Sequence, residues 1–248
     1  DRFTNWLQAY ASTSKSAFET MRAFQQFLGP RVTPGLVYTD GSKEFEKAMV
    51  DLGFAHDTST PYRPQTNGVA ERAVRRVKEG TTAVLLQSGF APSWWPDAMA
   101  CYCFLRNVMD KLNDGFTAFQ NRYHRKFKGK LVPYGAAVGY KPSAPKDLDR
   151  ISKFGDKTLF GLFVGYHLHA GGHWSGDYLV IDLEELNEAE AARDVYVKRI
   201  KELDVPLGNW SFPLADGSAR QPDANQRRRI RPTRQIWQSE DEGGDAPP

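Results

Sequence analysis

PYRPQTNGVAER, residues 61–72, is the stretch on which the reading of this chain turns. Residues 61–68 hold two prolines and an Asn-Gly pair without apolar periodicity, so they read as a loop. From Val69 the pattern changes. Ala70, Val74, Val77, Val84 and Leu85 recur at helical spacing and predict a long helix over 69–87, despite Gly80. Glu71 falls in its first turn. Arg75 and Lys78 follow four and seven residues later, so the three share one face, away from the apolar stripe. A carboxylate followed by two cations along one side suits a metal site beside a phosphate backbone. The same spacing also suits Glu–Arg pairing within a solvated helix.

Upstream, residues 35–39 (GLVYT) form a short apolar run ending at Asp40, which predicts a buried strand with a carboxylate at its carboxyl end. Thirty residues separate Asp40 from Glu71. Two carboxylates at element ends are the ligands that Mg²⁺ or Mn²⁺ would take, with water and phosphate oxygens completing the shell. Such ions serve phosphoryl transfer by activating the attacking oxygen and stabilising the leaving one. An exposed Asp in a turn and a Glu favouring a helix N-terminus would look the same in isolation. Residues 3–11, rich in aromatics, predict a strand. Ser14 resembles an N-cap before a helix carrying Ala17, Phe18, Met21, Phe24, Phe27 and Leu28, stopped by Gly29-Pro30. Residues 42–52 predict a second helix closed by Gly53, 54–58 a third strand, and 92–110 a helix rich in aromatics. Alternation of this kind predicts a mixed α/β layer fold over 1–112.

Past Gly115 the character shifts. Residues 113–132 read as a basic linker with a short helix or turn. AAVGY, LFGLFVGYHL, GDYLVIDLE and ARDVYVKRI then predict four or five strands of a small β-rich domain over 133–205, with turns at Gly171-Gly172 and Ser175-Gly176. From 206 to 248 apolar content falls, and a disordered charged tail is predicted. Within it Arg227, Arg228, Arg229, Arg231 and Arg234 form a basic cluster that suits a nuclear-import signal, a nucleic-acid patch or a solvated linker.

Composition sets the outer bounds. Hydrophobic residues at 40% and charged residues at 25% are ordinary globular usage, and a net charge of +3 is too small to argue for a polyanion partner by itself. No run approaches the length of a membrane span, and the start carries no signal-peptide pattern. The chain begins at Asp1 and not at Met, so further sequence is expected upstream. Cys101 and Cys103 lack the companions of a zinc site and are expected on different helix faces, one of them in the core. His167, His169 and His173 suit a hairpin with exposed histidines better than a metal centre. Trp94-Trp95 suit helix packing better than base stacking.

TDGSKEF, residues 39–45, resembles the second-aspartate motif of retroviral and retrotransposon integrases, and residues 61–72 resemble that family's active-site loop running into its third acidic residue. The Asn-Gly-Val-Ala-Glu-Arg form is most similar to copia-type elements. Residues 1–6 (DRFTNW) resemble the stretch just after the core's second strand, and 161–166 (GLFVGY) resemble the small β domain that follows copia-type cores. The resemblance implies an RNase H-like core with an Asp-Asp-Glu triad, an SH3-like β-barrel behind it, and Mg²⁺ or Mn²⁺ as cofactor. It implies Asp40 and Glu71 as catalytic metal ligands, and Tyr62, Asn67, Arg75 and Lys78 as DNA contacts. Implied partners are element ends and target DNA, bound as a homo-oligomer, in the nucleus after a cytoplasmic particle stage. Two departures stand out. Gly41 replaces the usual Asn after the second aspartate. The first strand, which carries the first aspartate, is not in these residues, and Asp1 has the wrong context to replace it. The chain alone is therefore expected to be inactive, and a catalytically silent DNA-binding remnant is the alternative reading.

Overall fold

A computed structural model describes residues 1–59 and 68–222. The described residues divide into two compact units, one built from residues 12–59 and 169–173, the other from 1–11, 68–168 and 174–222.

The first unit is a short βαβ arrangement with a leading helix. Helix α1 spans Ala17–Leu28 and is capped by Ser16, two residues later than expected, whose hydroxyl accepts from Glu19 N at 3.2 Å. Strand β1 (Val37–Thr39) runs parallel to β2 (His56–Thr58), and α2 (Lys43–Leu52) makes the crossover that parallel pairing requires. Gly53 ends α2 with φ of 67°, a left-handed cap. Val37, Ala48 and Met49 form the core, with Met21, Phe24, Leu52 and Phe54 packed on it. Strand β1 is not buried on both faces. Val37 and Thr39 point inward while Tyr38 is 44% exposed, the alternation of a one-sided strand.

The second unit is organised around one helix. Helix α3 spans Gly68–Ser88 and α4 spans Trp95–Met109, preceded by a 3-10 turn at Pro92–Trp94. The two helices pack where Gly80 lets the Tyr102 ring approach; a Cβ there would lie 2.0 Å from that ring. This is why a helix-weakening residue sits mid-helix. Val77 joins Met99 and Cys103 in the contact. Val77 is the first fully buried residue of α3: Ala70 and Val74, expected in the apolar stripe, are exposed.

Helix α4 is apolar nearly all round, and such helices are buried on several sides. Cys101 and Cys103 are accordingly both in the core, at 2% and 1% exposure, where one had been expected there. Burial pushes both thiols up, that of Cys103 to about 12, which disfavours the thiolate of either. Residues 3–11 form no strand. They run along α4, where Asn107 replaces a strand partner: its Nδ2 donates to Leu7 O at 2.7 Å and its Oδ1 accepts from Leu7 N at 3.0 Å.

Beyond α5 (Ala118–Tyr123), strands β3 (Ala137–Tyr140), β4 (Leu159–Leu168), β5 (Trp174–Asp182), β6 (Val197–Ile200) and β7 (Leu203–Asp204) form an antiparallel sheet in the order β6-β5-β4-β3-β7. It matches the small β-rich region expected there. Helix α6 (Pro145–Leu148) lies between β3 and β4, and α7 (Leu183–Glu188) begins with Leu183 and Glu184, the last two residues of the strand expected there. Gly171 and Gly172 turn the chain with positive φ, but Ser175-Gly176 is a bulge inside β5 and not a turn. Aromatic rings tie this sheet to the helices. Phe104 of α4 stacks 4.5 Å from Tyr166 of β4, and Trp6, Phe119 and Phe127 surround it.

Residues 206–222 are not a loose tail. Ser211 O accepts from Ala137 N at 2.9 Å, and the Gln221 side chain bridges Gly89 O and Ala91 N at 2.8 Å each. Besides these hydrogen bonds, Pro213 and Pro222 are buried and Trp210, Phe212 and Leu214 half-buried, so these apolar residues of the segment are packed. Residues 223–248, with the arginine cluster, lie outside the described residues. Among the described residues no helix is long and apolar enough to cross a membrane.

A buried ionic network fixes the β3–β4 connection. Asp182, with a fully buried side chain, accepts from Tyr140 Oη at 2.5 Å and Arg150 Nη1 at 2.9 Å, and caps α7 through Glu185 N at 2.9 Å. Lys198 Nζ lies 2.7 Å from both Asp147 oxygens. Burial would raise the Asp182 carboxyl, but the Arg150 guanidinium and Tyr140 hydroxyl outweigh it and hold it below the usual range. Its contribution is therefore full above the unfolded value of about 3.9 and fades as pH falls through the depressed folded value. Arg150→Ala is expected to cost about 3 kcal/mol at neutral pH by stranding this carboxylate. The deficit should shrink below about pH 4. Urea melts at the two pH values measure both.

Candidate metal and nucleic-acid site

Each carboxylate is placed by the end of a regular element. Thr39 closes β1: its backbone O accepts from Ser59 N at 2.9 Å, and its hydroxyl donates to Asp40 O at 2.7 Å and lies 2.7 Å from His56 Nε2. The strand end is thereby pinned and Asp40 emerges from it exposed. Its Oδ1 accepts one long hydrogen bond, 3.4 Å, from Ser42 N at the start of α2. No other hydrogen bond or ion pair of this carboxylate occurs among the described residues.

Glu71 stands in the first turn of α3, where the helix dipole favours a negative charge. It is exposed, as are Arg75 and Lys78 on the same face. The packed residues Val77, Thr81 and Ser88 lie on another side of the helix. The Glu71–Arg75 pairing that the spacing allowed is not formed, and among the described residues Glu71, Arg75 and Lys78 enter no ion pair. Arg72 and Arg76, which the sequence reading passed over, are also exposed and unpaired among these residues. Their signal was available in the gap between the apolar stripe and the Glu71 face. Tyr62 and Asn67 lie outside the described residues.

Glu71, Arg75 and Lys78 are thus brought together on one helix, in one compact unit; Asp40 belongs to the other unit. Among the described residues no group of three His, Cys, Asp or Glu side chains is placed to hold a metal ion. His167 instead shares a hydrogen bond with Ser175 Oγ at 3.0 Å. Asp1 is engaged in its own turn, accepting from Phe3 N at 2.9 Å and Thr4 Oγ1 at 2.7 Å. Trp94 is a packing anchor, 1% exposed and 5.0 Å from Phe90.

No family model matches the chain. Among curated proteins, it is 31% identical over 179 residues to the retrovirus-related Pol polyprotein from transposon RE1 of Arabidopsis thaliana, covering 68% of this chain and 12% of that protein. It is 29% identical over 127 residues to the retrovirus-related Pol polyprotein from transposon TNT 1-94 of Nicotiana tabacum, covering 50% of this chain and 9% of that protein. The chain therefore spans about a tenth of the length of these relatives. Among solved structures, the catalytic core domain of BIV integrase is 25% identical with a TM-score of 0.37, over 47% of this chain and 78% of that one.

Proposed function

From a chain whose homologues are copia-type retrotransposon Pol polyproteins, we propose an integrase segment that takes part in metal-dependent cutting and joining of DNA. The observation that carries the proposal is the α3 face: an exposed carboxylate at a helix start, followed by exposed cations one and two turns on, with no pairing among them. Surface ion pairs are weak, so unpaired neighbours alone would mean little. Their combination with Asp40 at a strand end, and with the motifs around both residues, supports the reading.

In the proposed reaction, an oxygen nucleophile forms a bond to phosphorus as the opposite P–O bond breaks. The nucleophile is water when an element end is trimmed and the freed 3′-hydroxyl when that end is joined to target DNA. Asp40 and Glu71 are the residues that would hold Mg²⁺ or Mn²⁺. Their donor chemistry fits: both offer hard carboxylate oxygens, exposed and largely uncommitted among the described residues. A bound divalent cation supplies charge stabilisation at the attacking and leaving oxygens. Arg75 and Lys78 contribute fixed positive charge along the phosphate backbone. The loop at 61–68 with Tyr62 and Asn67 would order the DNA end. The chain would act as an oligomer on DNA in the nucleus.

Each cation that replaces condensed counterions adds to the salt dependence of binding without reading sequence. Arg75→Ala and Lys78→Ala are each expected to weaken duplex binding by similar factors on unrelated sequences. Each should also lower the slope of log K against log salt by about 1. Titrations from about 50 to about 200 mM salt measure this. Unchanged slopes in both variants would remove α3 from the DNA surface.

A further inference from the structure

Between residues 115 and 146 the chain contains no Asp or Glu, yet seven Lys and Arg. The densest part is HRKFKGK, residues 124–130, which leaves α5 and runs toward the sheet. Clusters of like charge repel and usually stay disordered. Here the backbone is held. The Phe127 ring is seated 5.0–5.7 Å from those of Trp174, Phe104, Phe119 and Tyr166. Lys130 N donates to Tyr178 Oη and Tyr166 Oη donates to Lys130 O, both at 2.8 Å; Lys130 Nζ donates to Leu203 O at 2.6 Å.

Exposure alternates along the segment. Phe127 and Gly129 are half-buried, while Lys126, Lys128 and Lys130 are exposed. Gly129 has no room for a side chain, since a Cβ would lie 2.4 Å from Phe127 and 2.8 Å from Trp174. Side chains that alternate in this way place Lys126 and Lys128 on one side, roughly 6–7 Å apart along an extended chain. Among the described residues Arg125, Lys126 and Lys128 make no hydrogen bond or ion pair with an acid.

We propose that this strap is a second phosphate-binding surface, which holds the backbone of duplex DNA at a place separate from the α3 face. The aromatic residue within it is turned inward, so it offers no stacking platform for unpaired bases, and the contact falls on phosphates. The anchored backbone presents its cations without paying for ordering on binding. The proposal rests on the DNA-joining reading above and extends it: α3, α4, α5, the strap and the sheet belong to one compact unit. DNA held on α3 and DNA held on the strap would therefore be held by one body.

The test is salt titration of the full 248-residue chain against two unrelated duplexes and a single-stranded RNA of equal length. The double variant Lys126→Ala/Lys128→Ala should lower the salt slope on both duplexes alike, by about 2. Lys126→Arg/Lys128→Arg, which keeps both charges, should restore it and so separates charge loss from misfolding. An unchanged slope in the alanine double variant, beside a lowered slope in Arg75→Ala/Lys78→Ala, overturns the strap and leaves the α3 reading intact. The converse pattern keeps the strap and removes α3. A wild-type chain without salt-dependent duplex affinity ends both, and a loss confined to the RNA overturns the assignment to duplex DNA.

Discussion

Replacing Glu71 with glutamine is expected to cut strand transfer by about a thousandfold in an enzyme carrying this chain, while DNA affinity holds or rises. A hard cation stabilises transition-state charge by several kcal/mol, and each 1.36 kcal/mol is about tenfold in rate. Glutamine keeps the shape of the side chain and its one carbonyl oxygen, but removes the charge that a divalent ion requires. Binding responds in the opposite direction because Glu71 shares its face with Arg75 and Lys78. Removing one negative charge beside phosphates lowers repulsion within a Debye length of about 10 Å at 0.1 M salt. Asp40→Asn should reproduce the catalytic loss. Strand-transfer gels with Mg²⁺ and Mn²⁺, paired with equilibrium binding, separate the two effects. If Glu71→Gln retained most of its activity while Arg75→Ala still weakened binding, the helix would be a DNA surface and not a metal site.

The candidate site was legible because its residues stand at element ends, where local signals are strongest. Asp40 follows a short apolar run, and Glu71 follows an Asn-Gly pair that opens a long periodic helix. The strands β3 to β6 were legible for a related reason, since short β-like runs separated by turn residues need no distant partner to be recognised. What escaped the sequence depends on partners far along the chain. Residues 3–11 look like a strand, yet their hydrogen bonds go to the Asn107 side chain. Cys101 and Cys103 sit on opposite sides of a helix, and periodicity assigns one side to solvent. Both are buried because α4 has α3 against one side and the sheet against another. The Asp182–Arg150 contact joins residues whose charges read, in sequence, as ordinary surface. Residues 206–222 look disordered by composition and are held by hydrogen bonds to distant positions, the Gln221 side-chain amide reaching Gly89 and Ala91 more than a hundred residues earlier.

The sheet and the helices are expected to unfold together, and Phe104→Ala should lower the stability of both by about 3–5 kcal/mol. Phe104 is 2% exposed, and its ring meets those of Tyr166, Phe127, Trp6 and Phe119 at 4.5–6.5 Å. Truncation removes the transfer energy of a buried ring and leaves a cavity that four aromatic neighbours cannot close without losing their own edge contacts. Phe104→Leu retains much of the volume and should cost about 1–1.5 kcal/mol. Phe160→Ala supplies the control: its ring is 65% exposed on the same sheet, and its loss should stay within about 0.5 kcal/mol. Hydrogen exchange distinguishes one cooperative unit from two, because amides that open together share one free energy. In Phe104→Ala the slowest amides of α4 and of β4 should lose protection by the same amount. Protection lost in α4 alone, with β4 and β5 unchanged, would mean that the small sheet is a separate module with a division near residue 133. The aromatic contacts would then be a docking surface between two folded parts. Equal losses would instead make the basic strap, which Phe127 anchors in the same cluster, a fixed part of the body that carries α3.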